Sequence, residues 1–143
     1  MFIGEYKVSL DAKGRIPIPA KFRQLLNGGG VVTRGLDNSL FVYPKQEWEK
    51  IAAKLSTLPL TKADSRAFAR LILAGAFDFE IDKQGRITVP EYLRKFASLT
   101  KKVVCAGLYN RIEIWDDGVW ENYKTNTERE SNSIAEGLAE LGV

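Results

Sequence analysis

Polar and apolar residues alternate from Glu5 to Leu10, which puts Tyr6, Val8 and Leu10 on one face of a half-buried strand and Glu5, Lys7 and Ser9 on the other. A turn follows at Asp11–Gly14, and Arg15–Ile18 alternates again as a short strand. Pro19 suits the first turn of a helix, so the spacing predicts a short helix from Ala20 to Leu26, ended by Asn27-Gly28-Gly29-Gly30. Val31–Arg34 and Leu40–Tyr43 read as strands on either side of a Gly35–Asn38 turn. Beyond Pro44, the apolar residues Trp48, Ile51, Ala52 and Leu55 recur at helical spacing.

Ser56–Leu60 reads as a linker. Thr61, with Asp64 three residues on, predicts a second helix opened by a weak form of the capping box, with Ala67, Phe68, Leu71 and Ile72 on its apolar side. The first order of elements then recurs. Phe77–Ile81 is a strand, Asp82–Gly85 a turn, Arg86–Val89 a strand and Pro90–Phe96 a short helix. A hairpin runs through Val103-Val104 and Ile112–Ile114, and a helix forms around Trp120 and Tyr123. From Thr125 the chain is polar until Ile134, Leu138 and Leu141, which share one helical face. That tail is at best a weak helix, and Gly137 weakens it further.

This recurrence is an internal repeat. Asp11-Ala12-Lys13-Gly14-Arg15-Ile16-Pro17-Ile18-Pro19 returns as Asp82-Lys83-Gln84-Gly85-Arg86-Ile87-Thr88-Val89-Pro90, at an offset of 71. Gly4 falls on Gly75 and Arg23 on Arg94. One inserted residue later, Gly35-Leu36 falls on Gly107-Leu108 and Trp48-Glu49 on Trp120-Glu121. Two copies are too few for a solenoid, and they predict a pseudo-twofold pair in one body. The expected organisation is a first repeat over 5–51, a helical linker over 52–75, a second repeat over 76–123 and an acidic tail over 124–143.

Composition narrows the chemistry. The chain has 143 residues, one cysteine and no histidine. Histidine-based metal sites and Ser-His-Asp or Cys-His catalysis are therefore excluded, and no internal disulfide can form. Cys105 lies in an apolar run and reads as a buried small hydrophobe. No run of about eighteen apolar residues is present to span a membrane. The opening Met1–Glu5 does not read as a secretory signal, so a cytoplasmic setting is expected.

The formal net charge is +3, but residues 126–143 alone carry −3, so the body before them is basic at +6. A basic body points to a polyanionic partner. The two copies differ in this respect. Residues 1–26 hold Lys7, Lys13, Arg15, Lys21 and Arg23 against Glu5 and Asp11, a net of +3. The matching residues 72–97 sum to zero, and Asp78, Glu80 and Asp82 line the outward side of their first strand. Formal charge thus makes the first copy the main polyanion reader and the second the more structural one.

Within each copy an arginine follows a glycine turn, with an aspartate four residues before it. The carboxylate can fix the turn and orient the guanidinium, whose planar fork suits phosphate oxygens or guanine O6/N7. The same pair can instead serve only to hold strand to strand. Duplication shows that the module matters without separating these two roles.

These residues carry a family resemblance. The opening Met-Phe-x-Gly-Glu-Tyr, the run Asp11–Pro19 and its second copy resemble the MraZ family of bacterial transcriptional regulators, within the SpoVT/AbrB-like superfamily, over roughly residues 1–123. The resemblance implies a β-rich α+β fold, a duplicated AbrB-like double half-barrel with short helices around it. It also implies a nucleoid-associated homo-oligomer, closed into a ring, that binds double-stranded DNA at direct repeats in the promoter of the division and cell-wall gene cluster, mostly as a repressor. The family's binding motif falls on Asp11, Gly14 and Arg15, and again on Asp82, Gly85 and Arg86. Lys13 differs from Gln84 at the position before the glycine. Arg15 is the candidate base reader, Lys13 a phosphate contact and Asp11 a positioning group. Lys83 of the second turn joins the candidate set, and Lys7, Lys21 and Arg23 are candidate additional phosphate contacts. No cofactor or metal is implied.

Three other readings stay open on the residues alone. In an AbrB-like antitoxin, a flexible tail would block a toxin, but the tail is short and the domain is duplicated in one chain. An enzyme on a related barrel would lack histidine and any nucleophile–base pair, leaving only paired carboxylates. A ring-forming scaffold would use its arginine turns structurally.

Overall fold

The computed structural model describes residues 1–143. Its elements follow the repeat. The first copy holds β1 (Phe2–Ser9), β2 (Arg15–Pro17), α1 (Ala20–Arg23) running into a 3₁₀ turn at Gln24–Leu26, β3 (Gly30–Arg34), β4 (Leu40–Pro44) and α2 (Lys45–Ser56). After α3 (Ala63–Ala69), which continues as a π-helical turn at Arg70–Ala74, come β5 (Phe77–Phe79), β6 (Arg86–Thr88), α4 (Glu91–Phe96), β7 (Lys102–Tyr109), β8 (Ile112–Asp116) and α5 (Asp117–Arg129). The chain ends in α6 (Ser131–Gly137) and a 3₁₀ turn at Ala139–Leu141.

The pairing of strands makes one body of the two copies. Six strands form an antiparallel sheet in the order β1-β7-β8-β4-β3-β5, and β2 pairs with β6 in a separate two-stranded ribbon. The first strand of each copy therefore lies beside a strand of the other. β1 pairs with β7 along its whole length, from Phe2 opposite Tyr109 to Ser9 opposite Lys102, and β5 pairs with β3. The exchange is symmetric. In the centre of the sheet Leu40 faces Ile114 and Val42 faces Ile112, around the Phe41–Glu113 pair. In the ribbon Arg15 faces Thr88 and Pro17 faces Arg86, around Ile16 opposite Ile87. A pseudo-twofold axis passes through both central pairs. This is the duplicated double half-barrel, with its core between sheet and ribbon.

That core is made by the alternation read from the sequence. Ile16, Ile18, Ile87 and Val89 point inward from the ribbon and its continuations, with at most 1% exposure. They meet Val32, Leu40, Val42, Val103, Cys105, Ile112 and Ile114 from the sheet. Phe22 of α1 fits between Phe2 and Tyr6, with both ring pairs edge-to-face at 5.3 Å. Burial of each large aliphatic side chain contributes about 1.5–3 kcal/mol. Cys105 is fully buried and its thiol is pushed up to about 12 by loss of water, so it behaves as an inert small hydrophobe.

Some sequence expectations shift. β1 begins at Phe2 because Phe2 is a core residue, 2% exposed. The proline that precedes each of α1, α2 and α4 is the residue just outside the helix. The capping box expected at Thr61 does not form. A turn in which the Lys62 N–H donates to the Pro59 carbonyl leaves Thr61 outside the helix, which starts at Ala63 with no side-chain cap. The π-helical turn at Arg70–Ala74 departs from the regular helical spacing of Ala67, Phe68, Leu71 and Ile72. There the Thr33 hydroxyl donates to the Ile72 carbonyl at 2.6 Å and Arg34 Nη1 donates to the Leu71 carbonyl at 3.1 Å, so β3 ties that turn to the sheet. The tail is helical, but every residue from Thr125 onward is exposed.

Because Ile16 and Ile87 belong to different copies yet meet on the axis, the copies should not unfold separately. Ile87→Ala is expected to cost about 2–5 kcal/mol. Denaturant melts followed by tryptophan fluorescence should still show one transition, whereas two transitions would show that the copies are independent domains.

Candidate nucleic-acid interface

The two Asp-x-x-Gly-Arg turns are superposable in their bonding. In the first, Asp11 Oδ1 accepts from the Lys13 and Arg15 N–H groups at 2.9 and 2.8 Å, and Oδ2 accepts from Arg15 Nε at 2.7 Å. In the second, Asp82 Oδ1 accepts from the Gln84 and Arg86 N–H groups at 2.8 and 2.9 Å, and Oδ2 from Arg86 Nε at 2.9 Å. The main chain closes each loop as well, with Gly14 N–H donating to the Asp11 carbonyl and Gly85 N–H to the Asp82 carbonyl. Gly14 and Gly85 sit at φ +80° and +78°, the left-handed region that glycine enters without strain.

The carboxylates therefore do two jobs. They organise the turn, and they hold each guanidinium by Nε alone. The Nη atoms of Arg15 and Arg86 make no hydrogen bond within the protein, although Arg86 Nη1 lies 3.9 Å from Asp11 Oδ2 across the axis. Both Asp11 and Asp82 are held below the usual carboxylate range. The main cause is the backbone N–H of Arg15 or Arg86, opposed by partial desolvation and reinforced by the guanidinium.

The ribbon decides where the arginines point. Ile16 and Ile87 face the core, so Arg15, Pro17, Arg86 and Thr88 alternate onto the outer face. The two motifs, 71 residues apart in the chain, become diagonal neighbours on one surface, with side chains 30% and 26% exposed. Lys13 and Lys83 are exposed at the tips of their turns, and Lys21 is exposed on α1.

A further pair of arginines holds the ribbon in place. Arg23 Nε donates to the Ile18 carbonyl at 2.8 Å, and its guanidinium lies over Gly85 of the other copy. Arg94 Nη1 donates to the Val89 carbonyl and lies over Gly14. Two main-chain bonds at 2.8 Å complete the clasp, from Ile18 N–H to the Gly85 carbonyl and from Val89 N–H to the Gly14 carbonyl. Each turn is thus braced by the opposite copy, and a side chain at Gly14 or Gly85 would collide with the brace. The Arg23–Arg94 identity in the repeat is the sequence signal for this pair of braces.

Not every predicted residue joins the ribbon face. Lys7 is ion-paired with Asp117 and Glu121 of α5, at 3.4 and 3.5 Å. Beside it Glu5 accepts from Trp120 Nε1 and Lys124 Nζ, both at 3.0 Å, so α5 of the second copy is fastened onto β1 of the first. Lys7 and Arg23 are engaged within the protein, while Arg15, Lys13, Lys21, Arg86 and Lys83 present charge outward. No group of acidic, histidine or cysteine side chains is arranged to hold a metal ion.

A strand-exchanged double half-barrel, carrying two mirrored aspartate–glycine–arginine turns on its ribbon, defines the duplicated AbrB-like class. A family profile described as "MraZ protein, putative antitoxin-like" matches residues 1–71 and 72–139. Over all 143 residues, and over the full length of each relative, the chain is 54% identical to the transcriptional regulator MraZ of Thermoanaerobacter pseudethanolicus. It is 50% identical to that of Natranaerobius thermophilus and 49% to that of Acetivibrio thermocellus. The chain belongs to the MraZ family.

Two expectations follow from the turns. Gly14→Ala combines a disfavoured φ with displacement of Arg94, so it should cost more than about 1 kcal/mol; a melt matching the native protein would show that Arg94 is not a brace. A lowered carboxylate pKa gives stability that is complete above the unfolded value of about 3.9 and is lost as pH falls through the folded one. Protection of the Arg15 and Arg86 amides, taken relative to their intrinsic exchange rate, should therefore hold from pH 7 to about pH 5 and fall only below that range. Asp11→Asn should remove this acid step at Arg15.

Proposed function

We propose that the chain is a sequence-specific DNA-binding transcriptional regulator whose β2–β6 ribbon enters the major groove. The observation that carries this reading is the pair Arg15 and Arg86, projecting from one ribbon with Nε fixed by an aspartate and Nη atoms that make no hydrogen bond within the protein. A two-stranded ribbon fits the major groove of B-DNA, and a guanidinium fork matches guanine O6/N7. Preorganisation by Asp11 and Asp82 removes part of the ordering cost of binding. The relatives' name, transcriptional regulator, points the same way.

Arg15 and Arg86 are the base readers in this proposal. Lys13, Lys83 and Lys21 contact phosphates, while Asp11, Asp82, Gly14 and Gly85 set the geometry. Arg15 contributes more, because formal charge favours the first copy: residues 1–26 carry a net +3 and the matching residues 72–97 sum to zero. One ribbon gives few base contacts, so specificity requires several copies acting together. A homo-oligomer, closed into a ring and engaging direct repeats in the promoter of the division and cell-wall gene cluster, supplies that multiplication through effective concentration. Repression follows where such an assembly occupies a promoter.

Titration of the full-length protein with a duplex carrying its own upstream repeats tests this. Arg15→Ala should lose about 1–3 kcal/mol of specific binding, with a smaller loss for Arg86→Ala and native melts for both. Lys13→Ala should lower the salt slope by about 1 while leaving sequence preference intact. Binding by Arg15→Ala at native affinity would sink the ribbon reading and favour a scaffold whose arginines are purely structural.

A further inference from the structure

Two features of the chain are complementary and do not meet. The first is the tail. α6 has seven residues and no buried one, and Ile134, Leu138 and Leu141 form an apolar stripe that is 44%, 42% and 74% exposed. A helix this short is marginal in water unless something packs on it. Its flanking Glu128, Glu130, Glu136 and Glu140 take part in no ion pair, and residues 126–143 carry a net −3.

The second is a groove on the α2–α3 side of the sheet. Phe41 and Tyr43 form its floor, Ile51 and Leu55 one wall, and Phe68 and Ile72 the other, with Lys54 on the rim. Its volume, about 230 Å³, is below the range of small-molecule pockets, ~300–1,000 Å³, and suits protruding aliphatic side chains. Phe68 stays 39% exposed beside it. Residues 45–70, which include α2 and α3, carry a net +3, and neither Lys54 nor Arg70 has an ion-pair partner.

We propose that the tail of one copy lays its Ile134–Leu138–Leu141 stripe into this groove on a second copy, with its glutamates against the basic rim. Within one chain the root of the tail is held elsewhere. Asp116 caps α5, the Lys7–Asp117 and Lys124–Glu5 pairs fix α5 over β1, and α6 continues from the end of α5. A patch and its complement at different places on one surface make a head-to-tail contact between copies. Opposite net charges on the two surfaces favour that encounter and make it salt-sensitive. This deepens the self-association reading above by naming one of its contacts, and it does not depend on DNA.

Hydrogen–deuterium exchange of the full-length protein tests it. Amides of α6 should become protected as protein concentration rises. Leu138→Asp in the tail and Phe68→Asp in the groove should each abolish that protection, and exposed Lys54→Glu should weaken it without disturbing the fold. Mixing the Leu138→Asp and Phe68→Asp proteins should restore protection in the tail of the latter only. Protection independent of concentration would mean that the tail folds onto its own copy, and the proposal would fall. It would fall equally if α6 stays unprotected at all concentrations, or if Phe68→Asp and Lys54→Glu leave protection unchanged. An assembly that persists, by sedimentation, in Leu138→Asp while α6 of the native protein is unprotected overturns this contact and leaves self-association standing. A native protein that stays monomeric throughout overturns both.

Discussion

The packing of Ile16 against Ile87 is the constraint on which the rest depends. Each comes from a three-residue strand that could not survive alone, since isolated two-stranded pairings are marginal in water. Both are essentially removed from solvent, at 0% and 1% exposure, and they close the core against the six-stranded sheet. That forced inward direction aims Arg15 and Arg86 outward. The arginine face is thus the reverse side of a hydrophobic contact, and neither can be shifted by one residue without exchanging isoleucine for arginine in the core.

Exchange of strands between copies extends the same logic to the turns. β1 and β5 each complete the half-barrel of the other copy. Arg23 and Arg94 then reach across to cover the glycines of the opposite turns. A turn on a surface loop would ordinarily be mobile. Here each turn is held from inside by its aspartate and from outside by the opposite copy's arginine. This is the preorganisation a recognition element needs, because ordering a free loop on binding would consume part of its affinity.

Much of this was legible in the sequence, for physical reasons. Alternation at Tyr6, Val8 and Leu10, and at Phe77, Phe79 and Ile81, records which side of a strand is buried, so strands and core emerged with the right faces. The Asp–Gly–Arg turns were legible because an aspartate accepting from the N–H groups two and four residues on is a local interaction. What was not legible is non-local. Nothing in Lys7 says that Asp117 and Glu121 lie opposite it, and Arg23 reads as surface charge until Gly85 is brought beneath it by the fold. Sequence spacing sets the two motifs 71 residues apart along the chain, whereas only the β2–β6 register sets their spacing on the surface.

The departures from symmetry carry as much information as the symmetry. The fold asks the two copies to match wherever the axis passes, and there Ile16 with Ile87 and Gly14 with Gly85 do match. Away from the axis the copies diverge in charge. Lys7 becomes Asp78, and Glu5 becomes Ala76, so the network that ties α5 to β1 has no counterpart between α2 and β5. Trp48, unlike Trp120, consequently finds no carboxylate for its indole N–H, and the cleft beside it, lined by Lys45, Glu49 and Asp78, stays open. A duplicated chain keeps its repeats alike where packing couples them and is free to specialise them where solvent does not. The more basic surface of the first copy, with Lys7 where the second has Asp78 and Lys21 where the second has Tyr92, is that specialisation, on a frame that holds both arginines to the same geometry.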